Sequence, residues 1–299
     1  MTVFFELLKS LLYGIVEGIT EWLPVSSTGH IILLDEFITL SVAPELGQKF
    51  ADKYMSMFEV VIQLGAILAV VVMFFGKLNP FAPSKSAFEK KQTWSLWFKV
   101  AVASIPAALI GIVGDKILEK ATGKDIDDWI YNFVTVAIAL IVYGILFIIV
   151  EKWQASKPIR TEDVHGISYT QAMLIGCFQT LAIIPGTSRS GSTILGARTL
   201  GISRSAAAEF SFFMGIPAML GASLIKSYGF LDYVREESIA VPPLAWVVLA
   251  VASVTAFIVS LAAIKFLMDF VKKHSFASFG WYRIVLGALV IGYFLIFGR

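Results

Sequence analysis

The sequence predicts an all-α integral membrane protein, with six spans and two helical hairpins arranged as an inverted-topology repeat. Three observations predict it. The 299-residue chain is 57% hydrophobic and only 15% charged, with a mean hydropathy of +0.79, whereas a soluble domain carries about 25% charge. Several apolar runs reach the roughly 20 residues that cross a bilayer as a helix. A polar, proline-broken stretch occurs twice, each time followed by a similar span. The net charge of +2 carries little information by itself, and nothing points to a nucleic-acid partner. The lone Cys177, in an apolar segment, excludes a disulfide framework and reads as a small buried hydrophobe. No secretory leader is read at the N-terminus, because Glu6 and Lys9 interrupt the first apolar run.

The first hairpin occupies residues 3–40. Residues 3–22 form an apolar helix that stops where Leu23-Pro24 breaks the chain, because proline has no N–H and pushes its predecessor out of the helical region. A second, shorter helix starts near Ser27, with Ser26, Ser27 and Thr28 as N-cap candidates. Neither reads as a full span, so the pair enters the membrane and turns back. Non-helical backbone at membrane depth is tolerated only where protein or a polar cavity surrounds it, which places the turn at an internal site. Spans follow at 55–75, at 94–113 with Pro106 as an expected kink, and at 129–150. Polar loops at 41–54, 76–92 and 115–128 separate them, and a connector at 151–168 closes the half.

The second half repeats the first. Gly14-Ile15-Val16-Glu17 parallels Gly176-Cys177-Phe178-Gln179, and Leu23-Pro24-Val25-Ser26-Ser27 parallels Ile184-Pro185-Gly186-Thr187-Ser188 with a one-residue slip. Phe58-Glu59 with Leu64-Gly65 parallels Ala208-Glu209 with Met214-Gly215. Spans at 205–225, 244–270 and 279–297 complete it, with a polar loop at 226–238 and a basic one at 271–278. The chain is one membrane domain, with repeat 1 at about 1–151 and repeat 2 at about 168–299. Each half is a re-entrant helical hairpin plus three transmembrane helices. Three crossings leave the second half starting from the opposite face, so the repeats are inverted and their hairpin tips approach each other near the midplane. Lysine and arginine concentrate at 76–92, 151–168, 198–204 and 271–278. These loops are expected in the cytoplasm, with both termini outside.

An ionisable residue at membrane depth is costly and marks function by default. Glu17 and Glu21 lie four apart, on one face of the first helix. The duplication brings Arg189, at the second tip, toward them. Ser188, Arg189, Ser190 and Thr193 sit at a helix start after Pro185-Gly186. Free N–H groups, hydroxyls and a guanidinium fork suit phosphate oxygens. Two carboxylates beside such a site point to a bridging Mg2+ or Ca2+, which take oxygen ligands. His30 reads equally as a general acid or base and as a packed helix-start residue. His165 and His274 read as solvent-exposed. Glu59, Gln63 and Glu209 read as supports bonding the backbone at the hairpin turns, and Arg198, Arg204 and Arg283 as interfacial anchors.

These residues resemble the undecaprenyl-diphosphate phosphatase family, the bacitracin-resistance type of integral membrane lipid phosphatase. The resemblance runs through EGITEWLPVSSTGH at 17–30, FEVVIQLGAILAVV at 58–71, PGTSRSGSTI at 185–194 and SRSAAAEFSFFMGIPAMLGA at 203–222. It implies metal-dependent removal of the terminal phosphate of undecaprenyl diphosphate, recycling the lipid carrier of peptidoglycan synthesis. It also implies a site open to the outer face of the bacterial plasma membrane. Glu17 and Glu21 would bind metal or assist acid/base steps. Ser27 would be the leading nucleophile and His30 a proton-transfer aid. Arg189 with Ser188 and Thr193 would hold the diphosphate, alongside Ser26, Thr28 and Ser190. Water could instead attack directly, with Ser27 only binding phosphate. The polyprenyl diphosphate and membrane lipids are the expected partners, with a homodimer left open. The competing reading is a transporter or flippase of a polyprenyl phosphate, because broken helices meeting at the midplane are also a transporter architecture.

Overall fold

Apolar runs in this chain fold as helices because a helix satisfies its own backbone groups where water is excluded. The computed structural model describes residues 2–123 and 132–297, and among them the regular structure is helical. The first half holds α1 (Thr2–Thr20), α2 (Ser27–Phe37), α3 (Gly47–Met73), the short α4 (Phe75–Leu78), α5 (Ala87–Ala108), α6 (Asp115–Thr122) and α7 (Phe133–Ala155). The second holds α8 (Tyr169–Gln179), α9 (Arg189–Thr199), α10 (Arg204–Glu236), α11 (Pro243–Lys273) and α12 (Ala277–Phe297). Six helices among the described residues are long and apolar enough to cross a membrane: Pro44–Met73, Ala87–Gly111, Phe133–Ala155, Arg204–Glu236, Pro243–Lys273 and Ala277–Phe297. They correspond to the six expected spans. The start of the span expected at 129–150 lies outside the described residues.

The sequence loops are shorter than hydropathy implies. α10 continues to Glu236 through most of the expected loop at 226–238, and α6 occupies part of the one at 115–128. Hydropathy marks where a helix leaves the apolar layer, not where it stops. α5 begins at Ala87 on a capping box in which Ser86 Oγ accepts from the Glu89 amide and the Glu89 carboxylate accepts from the Ser86 amide. The same device, Ser168 with Gln171, starts α8. Past Pro106, α5 widens into a π-helical turn at Leu109–Gly114, as expected of a proline that removes a helix hydrogen bond.

Small residues set the helix pairs. α7 and α12 cross so closely that a Cβ on Gly144 would lie 2.6 Å from the Gly280 carbonyl oxygen, and one on Gly280 would lie 2.6 Å from that of Gly144. Such contacts replace the hydrophobic drive that lipid cannot supply. Bulky apolar side chains such as Phe98, Ile138, Ile149, Val254 and Leu289 cover the outside. Cys177 is exposed too, correcting its expected burial: at 11 residues, α8 is thin cover and turns this side chain outward.

A buried ion cluster ties four segments together. The Glu151 carboxylate on α7 accepts from Arg198 Nε at 2.6 Å, Arg204 Nε at 2.7 Å and Ser275 Oγ at 2.8 Å. Arg198 is 3% exposed, so it is an internal crosslink rather than an interfacial anchor. Lys77 pairs with Glu209 at 2.6 Å. Glu209 therefore neutralises a lysine and does not support a hairpin turn. His165 is half-buried, its backbone carbonyl accepting from Lys99, and is thus less exposed than expected.

Candidate active site

Two helix breaks build the site. The first, residues 21–26, separates α1 from α2, and the second, residues 180–188, separates α8 from α9. The N-caps are Ser26 and Ser188. Ser26 Oγ accepts from the Gly29 amide at 3.2 Å, and Ser188 Oγ from the Gly191 amide at 3.1 Å. Both serines hold φ in the left-handed region, at 77° and 70°. That conformation costs a non-glycine residue about 1–3 kcal/mol. Of the three N-cap candidates in the first hairpin, the structure uses Ser26. This choice leaves Ser27 as the first helical residue, its hydroxyl free for other contacts. Gly186, at φ 88°, passes so close to α7 that a Cβ would lie 2.5 Å from the Val136 carbonyl oxygen.

The tips converge on one carboxylate. Ser27 Oγ donates to Glu21 Oε2 at 2.6 Å, and Arg189 Nη2 donates to Glu21 Oε1 at 3.1 Å. Arg189 is fixed further by donating from Nη1 to the Ser211 carbonyl at 2.7 Å, and its guanidinium lies 5.8 Å from the Trp22 ring centre. Ser190 Oγ donates to the Glu21 backbone carbonyl at 3.1 Å, crosslinking the two tips. A cavity of about 340 Å3 opens over this group, lined on its polar side by Glu21, Ser27, Thr28, Ser188, Arg189, Gln63 and Gln179.

The remaining expected residues lie behind this wall. Thr193 is buried, its hydroxyl 2.7 Å from that of Ser211 and donating to the Arg189 carbonyl at 2.9 Å. It braces the arginine from behind. Glu17 is 2% exposed, and its Oε1 meets no hydrogen-bond partner among the described residues. His30 does not line the cavity. Its Nδ1 lies 2.7 Å from the Ser26 carbonyl oxygen and its Nε2 2.7 Å from Tyr282 Oη. Gln63 lines the cavity instead of bonding a turn, and Glu59 lines a separate cavity with Asp35 and Glu36.

Sequence reasoning missed several contributors. Arg283 is fully buried and donates to carbonyls of both breaks, not to an interface: Nη1 to Pro24 at 3.2 Å, Nη2 to Gly186 at 2.7 Å and to Thr187 at 2.9 Å. Its neighbours Trp281 and Tyr282 imitate an interfacial belt, which hid it. Gln179 was findable, because it holds the place of Glu17 in the repeat. Ser211 and Tyr282 gave no signal.

Comparison with known proteins identifies the family. Residues 10–289 match the family described as bacitracin resistance protein BacA. The chain belongs to that family. It is 51% identical over 297 residues to the undecaprenyl-diphosphatase of Enterococcus faecalis, covering 98% of this chain and 99% of the relative. It is 51% identical over 295 residues to that of Lachnoclostridium phytofermentans, with 98% of each covered. It is 48% identical over 293 residues to that of Limosilactobacillus fermentum, with 97% and 98% covered.

Proposed function

We propose that this membrane protein hydrolyses the terminal phosphate of undecaprenyl diphosphate, giving undecaprenyl phosphate and inorganic phosphate and so recycling the carrier of cell-wall synthesis. Full-length relatives bearing that activity in their names support the reaction. The observation that carries the site is the Ser27–Glu21–Arg189 group at the mouth of the cavity. A hydroxyl donates to a carboxylate base while the same carboxylate is held by a cation suited to phosphate.

In the resting site Arg189 engages one Glu21 oxygen while Ser27 donates to the other. An incoming diphosphate competes for the guanidinium, and Glu21 is released as a base at the moment it is needed. Glu21 takes the Ser27 proton. Oγ bonds to the terminal phosphorus as the bond to the bridging oxygen breaks, and that oxygen leaves on the lipid monophosphate. The proton on Glu21 passes to the departing lipid phosphate. Water then attacks the phosphoserine, Glu21 taking the water proton and returning it to Ser27 Oγ as the P–Oγ bond breaks, and inorganic phosphate departs. Positioning and charge neutralisation are most of what phosphoryl transfer asks of a protein.

The residues suit a divalent ion. The donors are all oxygen, from Glu17, Glu21, Ser27 and Thr28, and the buried Glu17 Oε1 is left without a partner among the described residues. No group of three or more His, Cys, Asp or Glu gathers among the described residues, so substrate oxygens and water would complete the shell, as Mg2+ commonly requires. When bound, the ion would neutralise charge on the diphosphate.

The inverted repeat belongs to this reading. α2, α8 and α9 have 11 residues each, about 16 Å of helix against a bilayer core of about 30 Å, which favours re-entrant hairpins. Corresponding pairs pack alike. A Cβ on Gly14 of α1 would lie 2.5 Å from the Ala252 carbonyl oxygen of α11, and one on Gly176 of α8 would collide with that of Ala103 on α5. A largely apolar groove of about 500 Å3 between α5 and α10 shares Ala107, Gln179, Ala218 and Ala222 with the polar cavity, which suits a polyprenyl tail.

Purified protein given farnesyl diphosphate in detergent is expected to release phosphate, to stop with EDTA and to resume with Mg2+ or Ca2+. Binding of the lipid without phosphate release would favour a transporter and end the phosphatase reading.

A further inference from the structure

Arg283 is fully buried, and among the described residues it forms no ion pair. Burying a cation costs far more than burying a neutral donor, so a site that keeps one has a use for its charge or its geometry. Its surroundings show both. The guanidinium lies 5.5 Å from the Tyr143 ring centre and spends its N–H groups on three carbonyls, one before α2 and two before α9. In a trans peptide the N–H points opposite to the C=O. With the Thr187 carbonyl turned to Arg283, the Ser188 amide is turned away from it, and Ser188 is a lining residue of the cavity. The close approach of α7 and α12 through Gly144 and Gly280 brings Arg283 into this position.

We propose that Arg283 is a positioning residue: it clamps the two helix breaks so that Ser27 from one and the Ser188–Arg189 corner from the other face a single phosphate, while its uncompensated charge adds positive potential beneath them. The proposal rests on the phosphatase reading of the cavity. Lysine keeps the charge but cannot reach three carbonyls with a planar fork.

Detergent-purified wild type, Arg283→Lys and Tyr143→Leu would be compared with farnesyl diphosphate, with the folded fraction measured by tryptophan fluorescence at the assay temperature. Per folded enzyme, Arg283→Lys is expected to lower kcat at least about 30-fold with KM within threefold. Tyr143→Leu, which leaves the guanidinium but removes the ring beneath it, is expected to lower kcat about fivefold. A folded Arg283→Lys with kcat within threefold of wild type overturns the clamp, as does a change confined to KM. Where Arg283→Lys does not fold, an unchanged kcat in Tyr143→Leu overturns it. A wild type that releases no phosphate defeats the activity reading instead. The clamp is then read by amide hydrogen exchange at the two helix breaks, which Arg283→Lys must speed at least about tenfold.

Discussion

Glu21 accepts from both Ser27 and Arg189, so each of the three residues controls the other two. Ser27→Ala removes the attacking oxygen, Glu21→Gln the base, and Arg189→Lys the fork. Each is expected to lower kcat/KM at least about 100-fold, the scale of one preorganised contact in a water-poor site. Steady-state phosphate release is the check, and a near-normal rate removes that residue from the site. Arg189→Ala is a poorer probe, because stranding a buried carboxylate costs about 3–5 kcal/mol in stability as well. Arg189, Glu21 and Ser27 were legible in the sequence because charged and hydroxyl groups are anomalous in an apolar run. Arg283 was not. It follows Trp281 and Tyr282 near a span end, and only packing against Tyr143 and the two breaks distinguishes it from a membrane-surface arginine.

Helix pairs here are set by glycine. Gly14→Ala and Gly176→Ala each push a methyl into a backbone carbonyl that cannot rotate away. Each is expected to destabilise the protein by about 1–3 kcal/mol, the usual cost of overpacking. Gly76→Ala, which meets nothing within 4 Å, is the control, and the detergent thermal midpoint is the measurement. The helix breaks were readable from Pro24 and Pro185, because proline acts locally. Helix ends were not readable from hydropathy. The capping box at Ser86 and Glu89 was present in the sequence and outweighs the hydropathy boundary. The identity of the caps also escaped, because three consecutive hydroxyl residues compete for the role and tertiary contacts choose Ser26.

At the scale of the whole molecule, the six spans were legible because lipid forces long apolar runs into helices. The internal crosslinks, such as Glu151 with Arg198 and Arg204, were not, since their partners lie 47 and 53 residues apart. The basic loops predict an orientation that direct measurement can test. The single thiol is exposed, so Cys177→Ser provides the background. In intact cells a membrane-impermeant maleimide is expected to label Gln48→Cys at once and Ser84→Cys only after permeabilisation. The reverse order would turn the protein over in the membrane. Finally, the small side chains that divide the polar chamber from the apolar groove imply two exits. On the proposed reaction, orthophosphate would depart into water while the shortened carrier would slide out sideways among the acyl chains. Accumulated carrier should then throttle the cycle more strongly than the mineral ion does, making the bilayer's own inventory the governor of the rate.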